Sequence, residues 1–427
     1  GYFIEEVRRQ LIEQFGENEE AGPYSVYSGG LWVRTSLNPE LQTMTKDALR
    51  QGLIRYSRGK GWSGPINKID IDDQWPQRLA STFINTDYEN WQIAVAVSRA
   101  GSGAEIGFRD GTTARINDVP SGLKAGDIIA VSPIGGNNYR LQNVPKVSGG
   151  MVVQNPRNGR IWAMQGGFDD RMSSFNRATQ AERQPGSTIK PFVYATALDQ
   201  GMTPATIIVD SPFCVYQSAT LGRKCFRNFG GSRGAGPQTL RWGVEQSRNL
   251  MTVRAANDSG MENVVKTIKT MGIGDYQPYL AFALGAGDTT VAKLTNAYSM
   301  LANHGRQLEP TVIDFVQDRK GKVIFRSDQR NCDNCNMADW DGEPMPRPRP
   351  AGKQLMDPMT AYQRVGILQG VITRGTAQNL KSRDRRLFGK TGTTSGPTNG
   401  RSVGGSPDPT AAVYMGTTHA GTVGRGS

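Results

Sequence analysis

One stretch of this sequence joins a tight turn, a hydroxyl and an apolar helix: Gln184-Pro185-Gly186-Ser187-Thr188-Ile189-Lys190-Pro191-Phe192. Pro-Gly marks a turn that runs straight into the helix and leaves Ser187 at its mouth. A serine there sits among unpaired backbone N–H groups, at the positive end of the helix dipole. Lys190 returns to the same face one turn later, so Ser187 and Lys190 can be neighbours, as a hydroxyl nucleophile and an amine base require. The pattern Ser-x-x-Lys decides nothing by itself, because Ser57/Lys60 and Ser121/Lys124 match it too.

At 427 residues the chain is too long for one ordinary core and is expected to form two or three domains, one of them large. No run of 18 or more apolar residues occurs, so no segment spans a bilayer. The start Gly1-Tyr2-Phe3, with neither an initiator Met nor a signal peptide, reads as part of a longer protein whose membrane anchor is expected upstream. A net charge of +12 could steer the chain toward nucleic acid, anionic lipid or an anionic wall polymer. Apart from Arg383-Asp384-Arg385-Arg386 and the Arg347/Arg349 pair, however, the basic residues are scattered, as on a solvated surface.

Cysteines fall as two close pairs, Cys214 with Cys225 and Cys332 with Cys335, each in a loop-like, turn-rich segment. Two local disulfides are expected, which places the chain in an oxidising compartment such as a bacterial periplasm. One four-cysteine zinc site is the alternative. Neither a metal nor a cofactor is otherwise expected. His304 and His419 are the only histidines, and His304 reads as a helix-end residue before Gly305. A histidine triad is thus poorly supplied, and a lysine-assisted serine gains by elimination.

Taken in order, residues 2–15 and 39–56 read as helices, with a strand over 31–37 between them. From about Pro65 to Val147 the pattern changes to about five short strands, including a hairpin signal at Asp110-Gly111. An OB-like barrel is the expectation, in a structural or partner-contact role, because no regular aromatic and basic interleaving marks its strands for nucleic acid. A hairpin over Met151–Met164 follows, turning at Asn158-Gly159. Helical pattern then runs over 240–259, 262–271, 292–302 and 360–372, with late strands over 386–394 and 410–415. Helices grouped between two sets of strands imply an α+β domain with an antiparallel sheet. The expected division is 1–28, 29–64 as linker, 65–147 as the small β domain and 148–427 as the large one.

Two further patterns complete the first. Ser-x-Asn occurs at Ser36, Ser174 and Ser247; Lys-Thr-Gly occurs once, at Lys390-Thr391-Gly392, followed by Thr393-Thr394. Of the serines, Ser247 alone lies between Ser187 and Lys390 in the workable order and at a helix junction. Ser187/Lys190, Ser247-Arg248-Asn249 and Lys390-Thr391-Gly392 form the three-part set of penicillin-binding proteins and β-lactamases.

On these motifs the chain resembles the class A, bifunctional penicillin-binding proteins, specifically their transpeptidase domain, over most of residues 148–415. Arg183 to Phe192, Val253-Arg254, Leu284-Gly285-Ala286-Gly287, Gly375-Thr376-Ala377 and Gly389 to Thr394 carry the resemblance further. Residues 29–56 resemble that family's linker, and 2–15 the last helix of its glycosyltransferase domain. The acidic glycosyltransferase motifs are not found, so polymerase activity is not expected of this sequence.

The resemblance implies a mechanism. Ser187 attacks the carbonyl between the two terminal D-alanines of a peptidoglycan stem peptide, and Lys190, neutral when buried among positive neighbours, takes its proton. Ser247 relays a proton to the leaving amine, with Lys390 holding it, while Asn249 grips a substrate amide. The peptide adds to the strand at Lys390, Thr391, Gly392, Thr393 and Thr394, and the N–H groups of Ser187 and Thr393 form the oxyanion hole. A neighbouring stem peptide then accepts the acyl group; a β-lactam acylates Ser187 and leaves slowly. Implied partners are donor and acceptor stem peptides, β-lactams as covalent ligands, and cell-wall regulators on the OB-like domain, with no nucleic acid. The implied location is the periplasmic face of a bacterial inner membrane. Where the family has an aromatic pair beyond Thr394, this chain reads Thr398-Asn399-Gly400-Arg401. The rivals are a β-lactamase or penicillin sensor of the same fold, and a basic OB-type nucleic-acid-binding protein.

Overall fold

A computed structural model of the chain describes all residues except 221, 331, 336, 383–384, 394–398 and 418–427. The strands from the two ends of the chain form a five-stranded antiparallel sheet in the order Phe388–Thr393, Asn399–Gly405, Thr410–Thr417, Val147–Gln154, Ile161–Gln165. Strands from opposite ends of the sequence thus lie side by side, with the intervening helices on the sheet. The Lys390 strand is left at an edge.

Alternation along Thr410–Thr417 divides the molecule into two cores. Ala412 and Tyr414 face the main core with the helices Lys190–Asp199, Val291–Ala302 and Pro358–Thr373. Val413 and Met415 face a second core with Leu49, Leu53 and Tyr56 of the helix Pro39–Ser57.

The helix Lys190–Asp199 lies at the centre of the main core. Every residue from Lys190 to Leu198 is buried, so it has no solvent face. Pro191 fits its first turn, where no N–H partner is lost. Burying each of Phe192, Val193 and Leu198 contributes roughly 1.5–3 kcal/mol against exposure, which fixes the helix and whatever stands at its mouth.

The small β domain is a closed barrel. Gln92–Ala100 pairs with Gly103–Gly107, that with Thr113–Ile116, that in parallel with Asn138–Gln142, and Asp127–Gly135 joins both ends. This is the OB-like closure expected. Ala94, Ala96, Ile106, Ala114 and Ile129 fill its interior. Ile93, Val95 and Ile128 belong to the second core with the helix Pro39–Ser57, so part of the barrel wall is covered by the chain itself.

Three sequence expectations need correction. The stretch read as wholly β contains a helix, Trp75–Ser81, begun by Pro76. The helix expected over 240–259 is two helices, Leu240–Glu245 and Asn249–Ser259, broken at Ser247. Cys214 and Cys225 are not in loops: they lie opposite each other on paired strands, Phe213–Ser218 and Gly222–Phe226. Cys214–Cys225 and Cys332–Cys335 are disulfides, which removes the ligands of the zinc alternative. Among the described residues no helix is long and apolar enough to cross a membrane.

Candidate active site

Three elements converge at the mouth of the central helix. The first is the turn before it, a short 3-10 segment, Gly186–Ile189, that carries Ser187. Ser187 is half-buried, and its hydroxyl has no hydrogen bond to a described residue. The carbonyl of Thr188 beside it accepts from the buried Tyr298 hydroxyl at 2.7 Å, which ties the turn to the helix Val291–Ala302.

The second element is the break at Ser247. Its φ of +55° is the left-handed region that a residue with a side chain enters at a cost of roughly 1–2 kcal/mol. Three bonds from two lysines hold it there. Lys190 Nζ donates to Ser247 O at 2.7 Å and to its Oγ at 3.3 Å, and Lys390 Nζ donates to the same Oγ at 2.8 Å.

Asn249 opens the next helix. Its Oδ1 accepts from Lys190 Nζ at 2.6 Å while its Nδ2 donates to Arg227 O at 3.0 Å. In this arrangement Asn249 orients the lysine.

The third element is the edge strand. Gly392 has to be glycine: a Cβ there would sit 2.9 Å from Pro185 O and 2.9 Å from Thr188 Cγ2. The close approach lets the strand lie on the serine turn. Lys390 reaches back from this strand, donating also to Thr391 O at 2.8 Å, and the Thr391 hydroxyl lies 3.0 Å from that of Thr376.

The structure therefore joins Lys190, Ser247, Asn249, Lys390 and Thr391 by direct contacts, and brings Ser187 and Gly392 in through the turn. Thr393 ends the strand, and Thr394 lies outside the described residues. The decoy serines are elsewhere. Ser36 is buried at the far side, donating to Ile161 O and Thr311 O, and Ser57 and Ser121 lie at a helix end and in a barrel loop.

Two buried lysines this close cannot both be charged cheaply. Burial, then the charges of Lys390 and Arg248, hold the Lys190 amine well below its usual pKa, and burial lowers that of Lys390 to about 7. A neutral Lys190 donates its two short bonds, to Asn249 and the Ser247 carbonyl, and keeps a lone pair. These bonds hold the amine in one orientation, one helical turn behind a serine.

Several supports were not legible in the motifs. Asp210, with its side chain wholly buried, accepts from Arg248 Nε at 2.7 Å, Asn228 Nδ2 at 2.9 Å and Ala235 N at 3.0 Å, which anchors the middle residue of Ser247-Arg248-Asn249. Arg401, at the position that departs from the aromatic pattern, is buried and donates to Arg183 O at 2.6 Å and Thr289 O at 3.3 Å behind the serine turn. It lies opposite Gly392 on the strand next to the edge.

Comparison with known proteins agrees with this geometry. Residues 149–419, more than half of the chain, match the family model described as the penicillin binding protein transpeptidase domain. Penicillin-binding protein 1A of Rickettsia prowazekii is 35% identical over 97% of this chain and 54% of its own length. The Neisseria flavescens protein of the same name is 30% identical over 97% of this chain and 52% of its own length. The chain thus spans about half the length of the curated relatives it matches. The crystal structure of penicillin-binding protein 1A from Haemophilus influenzae aligns over 100% of this chain and 67% of that one, with a TM-score of 0.79 and 26% identity. The Mycobacterium tuberculosis protein PonA1, solved in complex with penicillin V, shares the fold at a TM-score of 0.60 and 20% identity over 97% of this chain and 84% of that one.

Proposed function

Because the chain belongs to the penicillin-binding protein transpeptidase family, we propose that it is a serine-type D-Ala-D-Ala transpeptidase that cross-links peptidoglycan stem peptides through an acyl-enzyme on Ser187. The observation that carries this reading is the hydrogen-bonded set of Lys190, Ser247, Asn249 and Lys390 behind the serine turn. It supplies a base, a proton relay and a positive wall in one place.

In the first half-reaction Lys190 takes the Ser187 proton as Oγ attacks the carbonyl between the terminal D-alanines. The negative oxygen meets the backbone N–H groups of Ser187 and Thr393, each such donor contributing about 3–4 kcal/mol to the transition state. The C–N bond breaks, and the proton passes by way of Ser247 to the departing D-alanine amine. In the second half the amine of a neighbouring stem peptide attacks the ester, its proton returns by the same route, and Ser187 is released. The donor peptide adds to the free edge at Lys390–Thr393, with Thr391 and Lys390 near its terminal carboxylate.

A β-lactam enters the same first step and stays on Ser187; the structure of PonA1 with penicillin V supports that reading by likeness of fold. The two disulfides and the bacterial relatives favour the periplasmic face of an inner membrane. We divide the chain into the C-terminal remnant of a glycosyltransferase domain (1–28), a linker (29–64), a barrel (65–147) and a transpeptidase domain (148–427), with the barrel as a structural or regulator-contact unit.

Incubation with a fluorescent penicillin followed by denaturing electrophoresis tests the function. Stable label on the wild-type protein and none on Ser187→Ala is expected. Label that persists in the variant removes Ser187 as nucleophile, and rapid release of hydrolysed drug makes the protein a β-lactamase.

A further inference from the structure

The rim above Ser247-Arg248-Asn249 is formed by residues 222–233, and it is positively charged. Two contacts stitch it to the motif: Asn249 Nδ2 donates to Arg227 O at 3.0 Å, and Arg248 donates to Arg233 O at 2.7 Å. Arg223, Lys224, Arg227 and Arg233 on this segment are all exposed. None of the four forms an ion pair or a side-chain hydrogen bond with a described residue. The nearest acids in sequence are already committed, Asp210 to Arg248 and Glu245 to Arg374. These exposed side chains give the rim an excess of positive charge on the Ser247 side of the mouth.

Which substrate passes this side follows from the mechanism. The leaving amine departs past Ser247, and by microscopic reversibility the attacking amine arrives by the same path. The donor peptide lies on the opposite wall, along the Lys390 strand. The rim therefore borders the route of the acceptor.

We propose that residues 223–233 form a subsite for the acyl acceptor, selecting an amine-bearing peptide with carboxylates flanking its amine. The inference rests on the transpeptidase reading above and adds the acceptor's chemical class to it. Exposed cations act within a Debye length of about 8–10 Å at moderate salt, so the selection is local and salt-sensitive. It works by raising the occupancy of acidic acceptors at the mouth, without touching the chemistry at Ser187.

The test uses the partition of the acyl-enzyme, which cancels differences in acylation rate. The whole protein is acylated with a small ester or thioester donor. Transfer to an acidic acceptor peptide is then compared with transfer to its carboxamide analogue, each relative to hydrolysis. Wild type is expected to favour the acidic acceptor by roughly three- to tenfold, as two exposed ion pairs would give, and to lose the preference in 0.5 M salt, where the Debye length falls to about 4 Å. The variant R227Q/R233Q is expected to lose it at low salt, and R227K/R233K to keep it. No preference in wild type, or an equal one in R227Q/R233Q, overturns the proposal. Should R227Q/R233Q fold poorly, R223Q/K224Q carries the same comparison, since those residues lie on an exposed hairpin. Absence of any penicillin label on wild type would overturn the underlying transpeptidase reading instead.

Discussion

Two buried basic side chains flank the helix Lys190–Asp199, one at its mouth and one behind it, and their surroundings differ. Lys190 at the mouth has three oxygens within 2.6 to 3.3 Å of its Nζ. Arg364, on the helix Pro358–Thr373, is 0% exposed and stands 5.7 Å from the Tyr194 ring centroid. None of its three guanidinium nitrogens has a hydrogen-bond partner among the described residues. Burial lowers its pKa only to about 10, so it stays charged at neutral pH. Lysine can give up its proton when burial demands it, and arginine does not. At the mouth desolvation thus favours an unprotonated amine, whereas the back carries a charge that the Tyr194 ring face only partly offsets.

Variants can break or sharpen this contrast, and removing the base should have the largest effect. Lys190→Ala is expected to slow penicillin acylation about a thousandfold, within the usual range for a positioned general base. Stopped-flow acylation of a chromogenic β-lactam measures it, and a loss under tenfold would move the base elsewhere.

Next in size is the anchor under Ser247. Arg248→Ala leaves Asp210 buried without its cation, and breaking such a pair costs about 3–5 kcal/mol. Denaturant unfolding should register a destabilisation near the lower end, because Arg248 keeps some exposure. An unchanged midpoint would mean that Asn228 and Ala235 satisfy the carboxylate by themselves.

At the back the sign should reverse. Arg364→Met keeps a long side chain against Tyr194 and removes an unpartnered charge, so stability is expected to rise by about 1–3 kcal/mol. A loss in the same denaturant titration would show that the guanidinium is held by more than the rings.

The smallest effect is expected at the strand edge. Thr376→Val removes the hydroxyl 3.0 Å from that of Thr391, a neutral hydrogen bond of about 1 kcal/mol at most. Acylation should fall by a factor of a few, seen in the same stopped-flow assay, with the folded protein intact.

Much of this molecule was legible in the sequence because its signals are local. Periodicity located the helices at 2–15, 39–56 and 360–372 within a residue or two, and Asn158-Gly159 marked the hairpin of the main sheet. The order of the motifs singled out Lys190, Ser247 and Lys390, which share hydrogen bonds, and Ser187 on the turn beside them. What stayed hidden depends on partners distant in sequence. Asp210 reads as an ordinary strand residue until Arg248 folds onto it. The break at Ser247 overrides a continuous helical pattern from Leu240 onward, because bonds from Lys190 and Lys390 hold the left-handed turn. Cys214 and Cys225 looked like loop residues because turn-forming neighbours surround a hairpin too short to alternate clearly.

The central claim is that Lys190 is a neutral amine ready to accept the Ser187 proton, and the pH dependence of acylation tests it most directly. A base must be unprotonated, so the rate constant for acylation by a β-lactam rises with pH through the pKa of Lys190 and then levels. With burial, Lys390 and Arg248 all lowering that pKa, the plateau should be reached well below the ordinary lysine value of 10.5. A rate that keeps rising tenfold per pH unit up to that value would show an ordinary, protonated lysine and contradict the account.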